Sequence, residues 1–136
     1  MELKAEVWER VMEFASLLAN EEQTDKYWAH YNALKDYCET QSLGGHDHPF
    51  LWESLGDFTT DDSAAIPLYL RALDAANADD AREYRVSIRF ALAERFRRKG
   101  QEELAIQYAI AADDEARNLD DLELRREISK FLLSQK

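Results

Sequence analysis

The chain reads as an all-α domain of about seven helices, and three observations predict it. Only four Gly and two Pro interrupt 136 residues. Ala, Leu, Glu and Arg, all good helix formers, fill the spaces between them. Apolar residues recur at three- and four-residue spacings, and no runs of Val, Ile and Thr bounded by turn residues mark a strand. An apolar fraction of 46% with 33% charged residues is that of a chain with a packed core, and the length suits one domain over 1–136.

The first helix is expected over Glu2–Asn20, where Leu3, Val7, Val11, Phe14 and Leu18 share one face. The short junction Asn20-Glu21-Glu22 turns the chain into an antiparallel second helix over Glu22–Ser42. Its stripe is Tyr27, Tyr31, Leu34 and Cys38, widened by Trp28 and Tyr37. This N-terminal hairpin occupies 1–42.

Gly44-Gly45-His46-Asp47-His48-Pro49 breaks the pattern. Gly44 is expected to supply a left-handed stop, Asp47 or His48 a cap, and Pro49 a first-turn residue for a third helix to Phe58. Thr60-Asp61-Asp62-Ser63 then opens a fourth helix to Asn77, with Pro67 near its first turn. Ile66, Tyr69, Leu70, Leu73 and Ala76 give that helix its apolar face.

Asp79-Asp80 opens the fifth helix, which Gly100 stops after Arg95-Phe96-Arg97-Arg98-Lys99 has met the negative end of its dipole. The sixth, Gln101–Asn118, is apolar on more than one side. A seventh, Asp120–Leu133, carries Leu124, Ile128, Phe131 and Leu132.

Two stretches look alike. Trp52-Glu53-Ser54-Leu55-Gly56 precedes Ala65-Ile66-Pro67-Leu68-Tyr69-Leu70-Arg71-Ala72-Leu73, and Leu92-Ala93-Glu94-Arg95-Phe96 precedes Ala105-Ile106-Gln107-Tyr108-Ala109-Ile110-Ala111-Ala112. The second members are offset by 40 residues, within the range of paired-helix repeats. Trp52, Leu55, Gly56, Ala65, Tyr69 and Ala72, then Leu92, Ala93, Phe96, Gly100, Ala105 and Ala112, resemble the tetratricopeptide repeat (TPR). That resemblance implies antiparallel hairpins over 48–77 and 79–118, a capping helix over 120–134, and a short right-handed solenoid. Gly56, Ala72, Ala93 and Ala112 would let paired helices approach closely. The first unit is about one turn short, Arg89 stands where a bulky residue is usual, and the pattern's terminal Pro is missing from both. In 1–42, Trp8 takes the bulky place and Met12 the small one.

In such stacks the first helix of each pair lines a concave groove for a peptide or a partner's helix. Position by position this implies Glu6, Glu9, Arg10 and Glu13; then Phe50, Glu53, Ser54 and Asp57; then Ser87, Phe90, Glu94, Arg97 and Arg98. The groove would be acidic toward the N-terminus and basic at the far end. The same residues read equally as solvated faces and internal pairs. The family's Lys/Asn/Arg clamp for a peptide carboxylate is not reproduced.

The formal charge of −11 excludes nucleic acid and anionic lipid as main partners. Residues 1–62 hold 14 acids and 4 bases, residues 63–136 hold 14 and 13. The first half therefore either attracts a basic partner or simply keeps the protein soluble. Arg82, Arg85 and Arg89 form a basic stripe that binds an acidic partner or phosphate, or pairs with Asp113, Asp114 and Glu115.

No Gly-rich phosphate loop, His-Glu-x-x-His or paired zinc-type cysteines occur, so neither catalysis nor a cofactor is expected. His46-Asp47-His48, with His30 the only other histidine, reads as loop and cap, not as a metal site. Most of the paired aspartates, Asp61-Asp62, Asp79-Asp80, Asp113-Asp114 and Asp120-Asp121, are read as helix starts. Cys38, the single cysteine, allows no internal disulfide and reads as core. The start lacks the pattern of a secretory signal, no stretch has the ~18 apolar residues of a membrane span, and a cytoplasmic location is expected.

The expected function is therefore a non-catalytic protein–protein interaction module that takes a protein or peptide. A bacterial immunity or antitoxin protein is a narrower alternative, suggested by size and acidity alone. A small-ligand or metal-binding enzyme domain is the alternative from another class.

Overall fold

The computed structural model describes residues 2–134; Met1, Gln135 and Lys136, at the ends of the domain expected over 1–136, lie outside them. The described residues form seven α-helices and no strand: α1 (Ala5–Asn20), α2 (Thr24–Leu43), α3 (Pro49–Asp57), α4 (Asp62–Ala75), α5 (Arg82–Arg98), α6 (Glu102–Ala116) and α7 (Leu122–Leu133). A 3₁₀ turn, Asp79–Ala81, leads into α5. No helix among these residues is long and apolar enough to cross a membrane.

Each helix packs on the next in sequence, and α1 touches α3 as α3 touches α5. The first members of the hairpins thus stand side by side, and α4 packs on both α3 and α5. The main core joins Val7, Val11, Phe14 and Leu18 of α1 to Leu34 and Cys38 of α2, Leu51, Trp52 and Leu55 of α3, Tyr69 and Ala72 of α4, and Ile88 and Leu92 of α5. A smaller core of Val86, Phe90, Ala112, Ala116 and Ile128 joins α5, α6 and α7.

The loop after α2 corrects one detail. Gly44 keeps an ordinary φ of −79°, and the left-handed residue is Gly45, at φ 94°; α2 runs one residue further than its apolar stripe suggests. At the start of α3 the His48 imidazole Nδ1 accepts from the Phe50 amide (3.1 Å). Asp47 instead accepts from the Trp52 indole N–H (2.7 Å) and the Ser42 hydroxyl (3.0 Å). Asp61 and Asp121 cap α4 and α7 through the amides of Ala64 and Leu124.

Pro67 lies deeper in its helix than expected, in the second turn of α4. It deprives the Ser63 carbonyl of its usual amide, which is tolerated because Ser63 and Pro67 are both exposed and water can replace the donor. Asp113 and Asp114 are not at a helix start at all. They sit inside α6 beside Arg117, at 3.6 and 3.7 Å.

Gly56 is the closest helix contact. A Cβ there would lie 2.9 Å from the Tyr69 ring of α4. That ring cannot retreat: Tyr69 is buried, and its hydroxyl donates to Asp57 at 2.6 Å. Gly56→Ala gains about 1 kcal/mol of helix propensity but overpacks by about 1–3 kcal/mol. A net loss near ~1 kcal/mol is expected in urea unfolding; a stabilised variant would show that α3 and α4 separate freely.

Candidate protein-binding groove

Along the exposed side of α3 and α5, carboxylates gather that have no cation in contact. Glu53 and Asp57 are one turn apart on α3; Ser87, Ala91, Glu94 and Arg98 recur at helical spacing on α5. A recess of about 530 Å³ is lined by Trp8 of α1, Phe50 and Glu53 of α3, Glu83, Tyr84 and Ser87 of α5, and Asp120, Asp121 and Leu124 where the chain enters α7. A second, of about 320 Å³, follows along α3 and α5 between Asp57, Tyr69, Ala91, Glu94, Arg95 and Arg98.

The carboxylates are held in surroundings that do not suit their charge. Burial pushes the Glu53 carboxyl up to about 7, against the pull of the Ser87 hydroxyl, which donates to it at 2.6 Å; nearby Asp57 adds repulsion. Burial also raises Asp57, although the Tyr69 hydroxyl and the charge of Arg95 oppose it. Glu94 is raised by burial too, with Glu127 repelling and Arg98 attracting. None of these three has a Lys or Arg in salt-bridge contact among the described residues.

The arginines of α5, by contrast, are paired. Glu115 of α6 collects the whole stripe: Arg85 at 2.9 and 3.0 Å, Arg89 in close contact and Arg82 at 3.7 Å. Arg85 also donates to the carbonyls of Ala76 and Ala78. Its hydrogen bonds hold the Glu115 carboxyl below the usual carboxylate range. The stripe is an internal clamp between the α4–α5 link and α6, with Glu115 doing what Asp113 and Asp114 were also expected to do.

Several residues expected along the groove are elsewhere. Ser54 is buried, and Phe90 sits in the smaller core, edge-on to Phe131 at 5.7 Å. Arg97 turns to the other side of α5, where Glu102 takes it at 2.8 and 2.9 Å, the Phe131 carbonyl accepts at 2.9 Å and the Phe131 ring stacks beneath it. The basic end is therefore reduced to Arg98, paired with Asp62 at 2.9 Å, and the largely buried Arg95.

On α1, Glu6 and Arg10 face Tyr37 of α2, and Arg10 stacks on Phe14 while pairing with Glu13 at 2.8 Å. Glu9 and Glu13 are exposed and border neither recess. The reason is rotational: with Val7, Val11, Phe14 and Leu18 inward, Trp8 is the α1 side chain that reaches the recess. Met12 lies one turn further on the same flank. Trp8 and Met12 remain nearly half exposed, at 48% and 43%. Phe50, Glu53 and Ser87 border the first recess, and Asp57, Glu94 and Arg98 the second. Tyr84, Glu83, Asp120 and Asp121 were not anticipated as lining; Asp121 both caps α7 and borders the recess.

His46, Asp47 and His48 do not converge with other donors, and among the described residues no three His, Cys, Asp or Glu side chains are grouped to hold a metal ion. Burial raises the Cys38 thiol to about 12, and its S–H points to the Leu51 carbonyl at 3.4 Å. It is a core residue without thiolate character.

Compared with protein-family models, with curated proteins and with solved structures, the chain finds no match.

Proposed function

We propose that the chain is a non-catalytic interaction module, a short right-handed stack of tetratricopeptide-like hairpins that holds a basic segment of a partner protein against the acidic face of α3 and α5. One contrast carries this reading. The arginines of α5 are tied to acids and carbonyls of their own chain, whereas Glu53, Asp57 and Glu94 have no salt-bridged cation among the described residues. Carboxylates whose charge is disfavoured and that have no salt-bridged cation do not strengthen a fold, so their presence together is explained by what they meet outside it. The exposed Trp8 and Met12 add an apolar edge, so the segment that fits best is amphipathic, with Lys or Arg on one side.

The test compares capture of cellular proteins by the native chain with capture by Glu53→Gln/Asp57→Asn/Glu94→Gln, changes that keep size and hydrogen bonding. Partners captured by the native chain should be lost from this variant. They should be retained by Glu6→Gln/Glu9→Gln/Glu13→Gln, which alters charge outside the recesses. Identical capture by all three proteins would overturn the assignment of the face.

A further inference from the structure

The larger recess is more than an acidic surface, because its walls are aromatic. Trp8, Phe50 and Tyr84 enter it from three helices, α1, α3 and α5. Tyr84 is braced edge-on by the His48 ring at 5.1 Å, and His48 is itself fixed by capping α3. Glu53 stands one turn beyond Phe50. Its Oε2 accepts from the Ser87 hydroxyl, and its Oε1 has no hydrogen-bond partner among the described residues. Glu83, Asp120 and Asp121 add acidic groups, Asn118, Leu119 and Leu124 complete the lining, and none of it is Lys, Arg or His.

Resting on the groove reading above, we infer that this recess takes one organic cation, the ammonium or guanidinium end of a lysine or arginine side chain on the partner, against Glu53 and between Trp8, Phe50 and Tyr84. Each part of the site argues for that chemistry. Aromatic faces attract a weakly hydrated cation and do little for a hard, strongly hydrated metal ion. Four carboxylates repel an anion. A neutral apolar group would cover the Glu53 carboxylate without satisfying its free oxygen, which is unfavourable. A long side chain with a charged tip offers methylenes to the rings and donors to that oxygen.

Proton linkage follows. The groups facing Glu53 are Asp57 on its own helix, Glu83, Tyr84 and Ser87 on α5, and Asp120 and Asp121 at the entry to α7; α1 contributes only the neutral Trp8. None is cationic. An arriving cation therefore favours the ionised form of Glu53, and binding should release a proton near neutral pH.

The experiment is an NMR titration of the full chain with N-acetyl-lysine methylamide and N-acetyl-arginine methylamide, with the citrulline and norleucine analogues as neutral controls. The Trp8 indole N–H and the amides of Tyr84 and Ser87 should shift with the cations and stay in place with the controls. Glu53→Gln should weaken the response about tenfold and Trp8→Ala about fivefold, with Trp8→Phe in between. Cation affinity should rise between pH 6 and 8 in the native chain and stay flat in Glu53→Gln. Equal shifts with citrulline, or none with either cation, would overturn the inference. If partner capture still depends on Glu53, Asp57 and Glu94 in that case, the groove stands and only its anchoring chemistry falls; loss of both dependences removes both.

Discussion

Replacing Arg95 with leucine is expected to lower the stability of the domain by about 2 kcal/mol. Arg95 crosses from α5 to the end of α3, where its guanidinium donates to the carbonyls of Thr59 (2.8 Å) and Gly56 (3.2 Å) and to Asp62 (3.2 Å). The last carbonyls of a helix have no amide of their own helix to meet, and α3 ends in a buried position. Leucine would leave the Thr59 carbonyl unsatisfied, at about 1–3 kcal/mol, while the Gly56 carbonyl keeps the Thr59 amide at 3.0 Å, and it would remove the contact with the Tyr69 ring. Against this, leucine spares the desolvation of a guanidinium, and Asp62 keeps Arg98, so the upper end of that sum is not reached. Lysine should recover only part of the loss, since one ammonium cannot reproduce the fork. Urea unfolding decides the matter; a loss below ~1 kcal/mol would mean water serves the Thr59 carbonyl as well.

Glu53→Gln should do the opposite, and only above mildly acidic pH. The folded protein holds the Glu53 proton up to about pH 7, whereas the unfolded chain releases it near the ordinary glutamate value. Between those two values the native state binds more protons than the unfolded one, so stability falls as pH rises and levels off above about 7. Below the ordinary value both states are protonated and the group contributes no pH dependence. Discounted for the partial openness of the recess, glutamine should stabilise by about 1–3 kcal/mol at pH 8 and be nearly neutral at pH 4. Paired urea titrations at the two pH values measure this. A variant less stable at pH 8 would show that the carboxylate is paired with a cation in the free protein. The groove reading depends on its having only the Ser87 hydroxyl.

Much of the fold was legible in the sequence because periodicity and punctuation agree. The apolar spacings of Val7, Val11, Phe14 and Leu18, or of Ala65, Tyr69 and Ala72, fix which face is inward. Asp61, Gly100 and Asp121 mark ends through local hydrogen bonding and backbone preference. The groove was half legible. Phe50, Glu53 and Asp57 on α3 and Ser87, Glu94 and Arg98 on α5 border the recesses, but Ser54 is buried and α1 is rotated so that Trp8, not the Glu6–Glu13 run, borders the larger one. Which flank of an amphipathic helix meets its neighbour depends on the next hairpin's position, which helical spacing does not encode. Likewise Arg97 and Arg98 are adjacent, yet one reaches Phe131 of α7 and the other Asp62 of α4. The number of arginines in α5 was visible; their separate destinations were not.

Those destinations determine how the molecule opens. Arg85 and Arg89 bolt α5 to α6, Arg95 and Arg98 reach the α3–α4 corner, and Arg97 holds the last turn of α7. By contrast, among the described residues the side-chain hydrogen bonds of α1 stay within α1, and its contact with the other helices is mainly apolar packing. The two ends are therefore held differently, and the fold should unzip from the N-terminal one. In native-state hydrogen exchange, the amides of α1 should become accessible through a partial opening with weak denaturant dependence, while those of α5 wait for complete unfolding. Release of α1 carries away Trp8, so the same small opening that frees the first helix would also dismantle one wall of the recess.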